Sequence, residues 1–176
     1  MRNFLPNVRN IAIIIEKYSR NWETMRLSDQ DKRLLGEIQS DATLSLAALS
    51  ERMSMAQSTL WRKLNDLDAA GVIQRRVAIL DPAKLDLKLC VLAMVTLEDH
   101  SEEAVAGFTA LVSTHPEILE CHKVSGASDY FLKIRAADVE AYETFQTRYL
   151  LRSDWVRSVQ SSFVLKEVKA TTELPL

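Results

Sequence analysis

The chain has 176 residues, of which 47% are hydrophobic and 26% charged. That balance excludes a disordered chain, a collagen-like repeat and a disulfide scaffold. With 22 Lys+Arg against 24 Asp+Glu the net charge is −2, which excludes a uniformly basic coat for nucleic acid.

Residues 1–26 form an N-terminal extension with a net charge of +3. Its apolar run Ile11–Ile15 follows Arg2 and Arg9 and is cut off at Glu16-Lys17, too short for a secretory signal of roughly 7–15 apolar residues. No stretch reaches the roughly 20 apolar residues of a membrane span, so a cytoplasmic protein is expected. Met25 offers an alternative start, so 1–24 is read either as an added arm or as an upstream start assignment.

From Ser28 the pattern is helical. Leu34, Leu35 and Ile38 form one apolar stripe, and Ser28 or Asp29 stands at the capping position. Asp41-Ala42-Thr43 breaks this helix. Ser45 opens a second with Leu46, Leu49 and Met53, and a break follows at Ser54-Met55. Leu60, Leu64 and Leu67 mark a third helix ending at Gly71. Val72–Leu80 reads as an extended strand stopped by Asp81-Pro82, and 81–87 as a linker. The segment 27–80 is neutral, whereas 81–176 carries −5.

From Leu89 the order becomes strand, helix, strand, strand, helix, strand. Leu89–Leu97 is the first strand. Ser101 caps a helix carrying Val105, Phe108, Leu111 and Val112, which His115-Pro116 ends. Ile118–Val124 is the second strand, Ser125–Asp129 a turn, and Tyr130–Arg135 the third strand. Asp138 caps a helix carrying Val139, Tyr142, Phe145, Tyr149 and Leu150, and Val156–Lys169 reads as a long final strand. This βαββαβ order is the ferredoxin-like plan, with two helices on one face of a four-stranded antiparallel sheet. The other face needs a cover, and a second subunit is the expected one. The fold class is therefore α+β: a winged helix-turn-helix over 27–80 joined through 81–87 to a ferredoxin-like unit over 88–176.

Three short helices with a tight break before the last make a helix-turn-helix, whose final helix enters the major groove. With Leu60 and Leu64 turned inward, Gln57, Ser58, Thr59, Trp61, Arg62 and Lys63 remain for the outer face. Gln pairs with adenine, Ser and Thr reach bases or phosphates, and Arg and Lys serve guanine or phosphate. Arg75 and Arg76 on the segment after it suit flanking phosphates. A helical bundle with a merely solvated polar face is the alternative.

Catalysis is poorly supported. His100, His115 and His122 show no metal-ligand spacing, and there is no glycine-rich phosphate loop. Neighbouring Cys121 and His122 point to opposite faces of a strand, so they make no nucleophile–base pair. Cys90 and Cys121 read as two reduced thiols. No cofactor or metal is expected.

The runs Leu27–Leu35 and Leu46–Arg52, the segment Trp61–Leu64 with Leu67, Gly71-Val72-Ile73 and Leu80-Asp81-Pro82 resemble the Lrp/AsnC (leucine-responsive/asparagine-sensing) bacterial regulators. So do Glu120–Gly126, Asp129–Lys133 and the ending Lys169–Leu176. The resemblance covers about 27–176. It implies a sequence-specific DNA-binding transcriptional regulator, a homodimer assembling to a tetramer of dimers. Its effector, an amino acid, would lie between dimers near the turn joining the second and third strands. That places Ser125, Gly126, Ala127, Ser128, Asp129 and Tyr130 at the effector site, and Val139 and Leu151 at positions that influence the response. The physical reading agrees: Gly126 permits a positive-φ turn with open backbone N–H groups, and Asp129 suits an α-ammonium. The remaining alternative is an amino-acid-sensing subunit whose helical part docks a protein instead of DNA. Two departures fall beside the third helix. Ser54 stands where relatives carry Gly, and Ala56 stands at the N-cap where they carry Ser or Thr. A frayed recognition helix, or one capped from Ser54, is expected.

Overall fold

The computed structural model describes residues 27–176; the N-terminal extension and its Ile11–Ile15 run lie outside the described residues. The described chain forms two compact units, one of helices and one built on a sheet.

In the helical unit, α1 spans Asp29–Ser40, α2 Leu46–Met53 and α3 Gln57–Ala69. Ser28 opens α1 with a reciprocal cap. Its hydroxyl accepts from the Asp31 backbone N–H at 3.2 Å, and the Asp31 carboxylate accepts from the Ser28 N–H at 3.0 Å. Ser45 caps α2 by accepting from Ala48 N–H at 3.1 Å. Leu34, Leu35, Leu49, Met53, Leu60 and Leu67 form the core, flanked by half-buried Ile38, Leu46, Leu64, Val72 and Ile73.

The segment Val72–Leu80 is a correction to the strand reading: it is paired in no ladder among the described residues. Strand pattern is local but strand existence requires a partner. Here the chain runs from Asp81 straight into a short 3₁₀ turn, Pro82–Leu85, with the Asp81 carboxylate accepting from Ala83 N–H at 2.9 Å.

The second unit contains β1 (Leu89–Leu97), α4 (Glu102–Thr114), β2 (Ile118–Lys123), β3 (Tyr130–Ala136), α5 (Val139–Phe145) and β4 (Val156–Phe163). The strand order is β2-β3-β1-β4 with every neighbour antiparallel, the ferredoxin-like arrangement. Ser101 caps α4 through Ala104 N–H at 3.1 Å, and Asp138 caps α5 through Ala141 N–H at 2.8 Å. Val91, Ala93, Val95 and Leu97 of β1 and Tyr130, Leu132, Ile134 and Ala136 of β3 point to one side. There they bury against Phe108 of α4 and Tyr142, Phe145 and Leu150 of the second helix. On the opposite face Leu92, Met94 and Phe131 stay half-exposed.

Three details differ from the sequence pattern. The last strand ends at Phe163 instead of Lys169, because its partner β1 runs out: Phe163 lies opposite Val91, and only Val164 N–H reaches on to Cys90 C=O. Beyond Phe145 the helix continues as a π turn, Gln146–Leu150, closed by Leu151 N–H to Gln146 C=O at 2.8 Å. Finally, the tail Lys169–Leu176, expected with the sheet unit, groups with the helical unit.

Gly107 marks a close approach inside α4. A Cβ there would lie 2.4 Å from the Trp155 ring, so only glycine admits the indole against that helix face.

Candidate functional site

The turn ahead of α3 is built from the two unusual residues. Ser54 closes α2 in the left-handed region at φ 52°, a conformation that favours glycine. It therefore serves as the C-cap of α2 and does not cap α3. Ala56 is the N-cap of α3 in extended conformation with no side-chain cap hydrogen bond. Ala56→Ser should add about 1 kcal/mol to the helical unit by satisfying one N-terminal N–H. Urea unfolding checks the gain. Amide exchange slowing at Ser58–Arg62 in the variant locates it.

With Leu60 and Leu67 buried and Leu64 half-buried, α3 turns Gln57, Ser58, Trp61 and Arg62 to solvent. Trp61 is 62% exposed, an unusual condition for an indole unless a partner covers it. Asn65 shares this face, at i+4 from Trp61 and i+3 from Arg62. The sequence reading passed over it although the spacing was visible. Asn is an adenine-reading residue type. Thr59 is half-buried.

Two of the expected basic contacts are already engaged. Lys63 Nζ donates to the Asp31 carboxylate, tying α3 to the first turn of α1, and both side chains are largely covered. That hydrogen bond, then those from Ser28, hold the Asp31 carboxyl below the ordinary aspartate range against the opposing effect of burial. Lys63 is thus a structural tie, and Asp31 is a residue the sequence reading did not connect with it. Arg76 pairs with Asp68 at 3.1 Å. Arg62 and Arg75 are exposed and make no ion pair among the described residues.

The second cluster is the turn between β2 and β3. Ser125, Gly126 and Ala127 are exposed and Ser128 is half-buried. Gly126 has φ 132°, and nothing lies within 4 Å of where its Cβ would be, so the turn's outer side is open. Asp129 is fixed beneath it. One carboxylate oxygen accepts from Leu97 N–H at 2.8 Å and the other meets His100 Nε2 at 2.7 Å. Its backbone is also held, by Val95 C=O and Val124 N–H, each at 2.9 Å. Burial alone would raise this carboxyl; the bonds from His100 and Leu97 outweigh it and keep it low. The carboxylate is thus an anion held at the turn, with lone pairs left for a cationic group.

Tyr130 departs from expectation. It is buried, its ring 4.7 Å from that of Phe108 on the helix side of the sheet, because it shares strand parity with Leu132 and Ile134. Val139 and Leu151, at 54% and 50% exposure, flank the second helix on the surface. Cys121 packs toward the core and His122 stands on the other face beside Glu120 and Phe131, so the two do not converge. Among the described residues no group of three His, Cys, Asp or Glu side chains is arranged to hold a metal ion.

Comparisons with known proteins agree in both halves. A winged helix-turn-helix DNA-binding family model matches residues 27–74, and an Lrp/AsnC ligand binding domain model matches 90–174. The DNA-binding transcriptional activator DecR of Escherichia coli K12 is 34% identical over 146 residues, spanning 83% of this chain and 96% of that one. The leucine-responsive regulatory protein of Salmonella typhimurium is 35% identical over 144 residues, spanning 82% and 88%. The crystal structure of transcriptional regulator NMB0573 from Neisseria meningitidis, in complex with L-Met, superposes with a TM-score of 0.82 at 35% identity. That match covers 85% of this chain and 96% of that one.

Proposed function

The chain belongs to the Lrp/AsnC family, and from that premise we propose that it is a DNA-binding transcriptional regulator whose activity responds to an amino acid. The observation that carries the DNA half of this reading is the solvent face of α3, where Gln57, Ser58, Trp61, Asn65 and Arg62 stand together with no acidic partner on Arg62 among the described residues. A helix of this kind reads base edges, while Arg75 serves a flanking phosphate. Lys63 and Arg76 support the same surface indirectly, by fixing α3 to α1 and the following segment to Asp68. The relatives are regulators and not enzymes, and no catalytic role is assigned.

The effector half of the reading rests on the open turn at Ser125–Ser128 over the fixed carboxylate of Asp129. Open N–H groups suit an α-carboxylate and Asp129 suits an α-ammonium, the two charges every amino acid carries. Val139 and Leu151 offer apolar surface for its side chain or for a neighbouring subunit. Leu92, Met94 and Phe131 on the uncovered sheet face suit a homodimer contact, and a tetramer of dimers would bring turns from different dimers together. No described helix is long and apolar enough to cross a membrane, and a cytoplasmic site of action fits a DNA partner. Effector binding then acts by linkage, altering assembly and the placement of paired α3 helices on spaced half-sites.

The test is fluorescence anisotropy on a fragment of the protein's own promoter. Arg62→Ala should weaken binding by about 1–3 kcal/mol, a factor of roughly 10 to 100, if it makes a bidentate base contact. The wild-type affinity should fall steeply with salt. Binding unchanged in Arg62→Ala, or capture of a protein through this helix with no DNA binding, would replace this reading with that of a protein-docking subunit.

A further inference from the structure

Along α1 lies an open groove of about 520 Å³ walled by Asp29, Lys32, Arg33, Gly36, Gln39 and Ser40 on the helix and by Leu176 of the tail. We propose that this groove is a docking site for the chain's own C-terminal peptide, 169–176, and that the docked tail is a latch on the helical unit. Four observations carry it.

First, the Gln39 side chain clasps one residue of the tail from both sides: its Nε2 donates to Leu174 C=O at 3.0 Å and its Oε1 accepts from Leu174 N–H at 2.9 Å. A side-chain amide that satisfies both backbone groups of one residue reads an extended strand, and Pro175 holds Leu174 in that extended state. Second, Leu176 forms one wall of the groove beside α1 while remaining exposed to solvent. Third, two cations, Lys32 and Arg33, line the same groove against the single carboxylate of Asp29. Fourth, Gly36 contributes no side chain, and nothing lies within 4 Å of where its Cβ would be. A glycine in mid-helix costs about 1 kcal/mol relative to alanine, and here it leaves room along the groove. The ligand class is thus an extended peptide read through its backbone, and the sequence Thr172-Glu173-Leu174-Pro175-Leu176 supplies it in cis. The proposal stands whether or not α3 binds DNA.

The experiment is amide NMR of the full chain, its truncation after Val168, Gln39→Ala and Gly36→Leu. The last fills the groove while improving helix propensity, so it separates docking from folding. All three variants should shift the resonances of Lys32, Arg33 and Ser40 together and leave those of Leu49 and Leu60 in place. A synthetic peptide of residues 168–176 added to the truncated chain should return the α1 resonances toward their original positions. A scrambled peptide of the same composition should leave them unmoved. Identical α1 spectra in the full and truncated chains would overturn the proposal. So would an equal response to the scrambled peptide, or a Gln39→Cys/Leu174→Cys pair that cross-links only between chains.

Discussion

Asp129→Ala should abolish the response to an amino acid while leaving DNA affinity intact, and should cost the sheet unit about 1–3 kcal/mol. The two effects have separate origins in one side chain. The stability loss comes from Leu97 N–H, part-buried, which loses its acceptor, and from His100, which loses the partner holding it over the turn. The loss of response comes from removing the carboxylate fixed beneath the open turn at Gly126. Asp129→Asn divides them. Its carbonyl can still accept from Leu97, so urea unfolding should show most of the stability retained, but with no negative charge it should not pair with an α-ammonium. Thermal shift across the twenty amino acids, with DNA binding measured in parallel, reads both. A normal effector shift in Asp129→Asn removes the carboxylate from the site. The pH dependence has a definite sign. The folded state holds this carboxyl below its ordinary range, so its contribution is fully present above that range and is lost as the pH falls through the folded-state value. Acid should therefore loosen the turn before it unfolds the sheet, visible as early shifts at Leu97 and His100.

Leu60→Ala should cost the helical unit about 2–5 kcal/mol. Leu60 is fully buried in a core of six side chains, and a unit that small has little other apolar burial to draw on. Because the sheet unit has its own core around Phe108, Val91 and Tyr142, calorimetry should show a lowered first transition and a preserved second one. DNA binding should vanish with the first while the effector still stabilises the second. A single transition shifted as a whole would mean that the two cores do not unfold separately. The contrast with Arg62→Ala is informative, since that variant should lose DNA affinity with no change in either transition.

Much of this architecture was readable because it is written in short-range signals. Ser28, Ser45, Ser101 and Asp138 each sit one residue before a helix and each caps it, an interaction spanning three residues. The βαββαβ order follows from periodicity alone. Most of the differences are nonlocal. Val72–Leu80 and the stretch after Phe163 have strand composition, but whether a ladder forms depends on a partner far along the chain. The ties of Lys63 to Asp31, 32 residues away, and of Asp129 to His100, 29 residues away, likewise leave no local signal. Tyr130 is different. Counting by twos from Leu132 would have placed it inside, and its nearness to the turn obscured that.

The tail that returns to α1 makes the sheet unit an insertion within the helical one, entered after Ile79 and left before Lys169. A chain segment held at both ends gives up entropy that one held at a single end keeps, and that cost grows only slowly with the segment's length. The closed latch carries this cost for the whole of 80–168, and a chain truncated after Val168 is free of it.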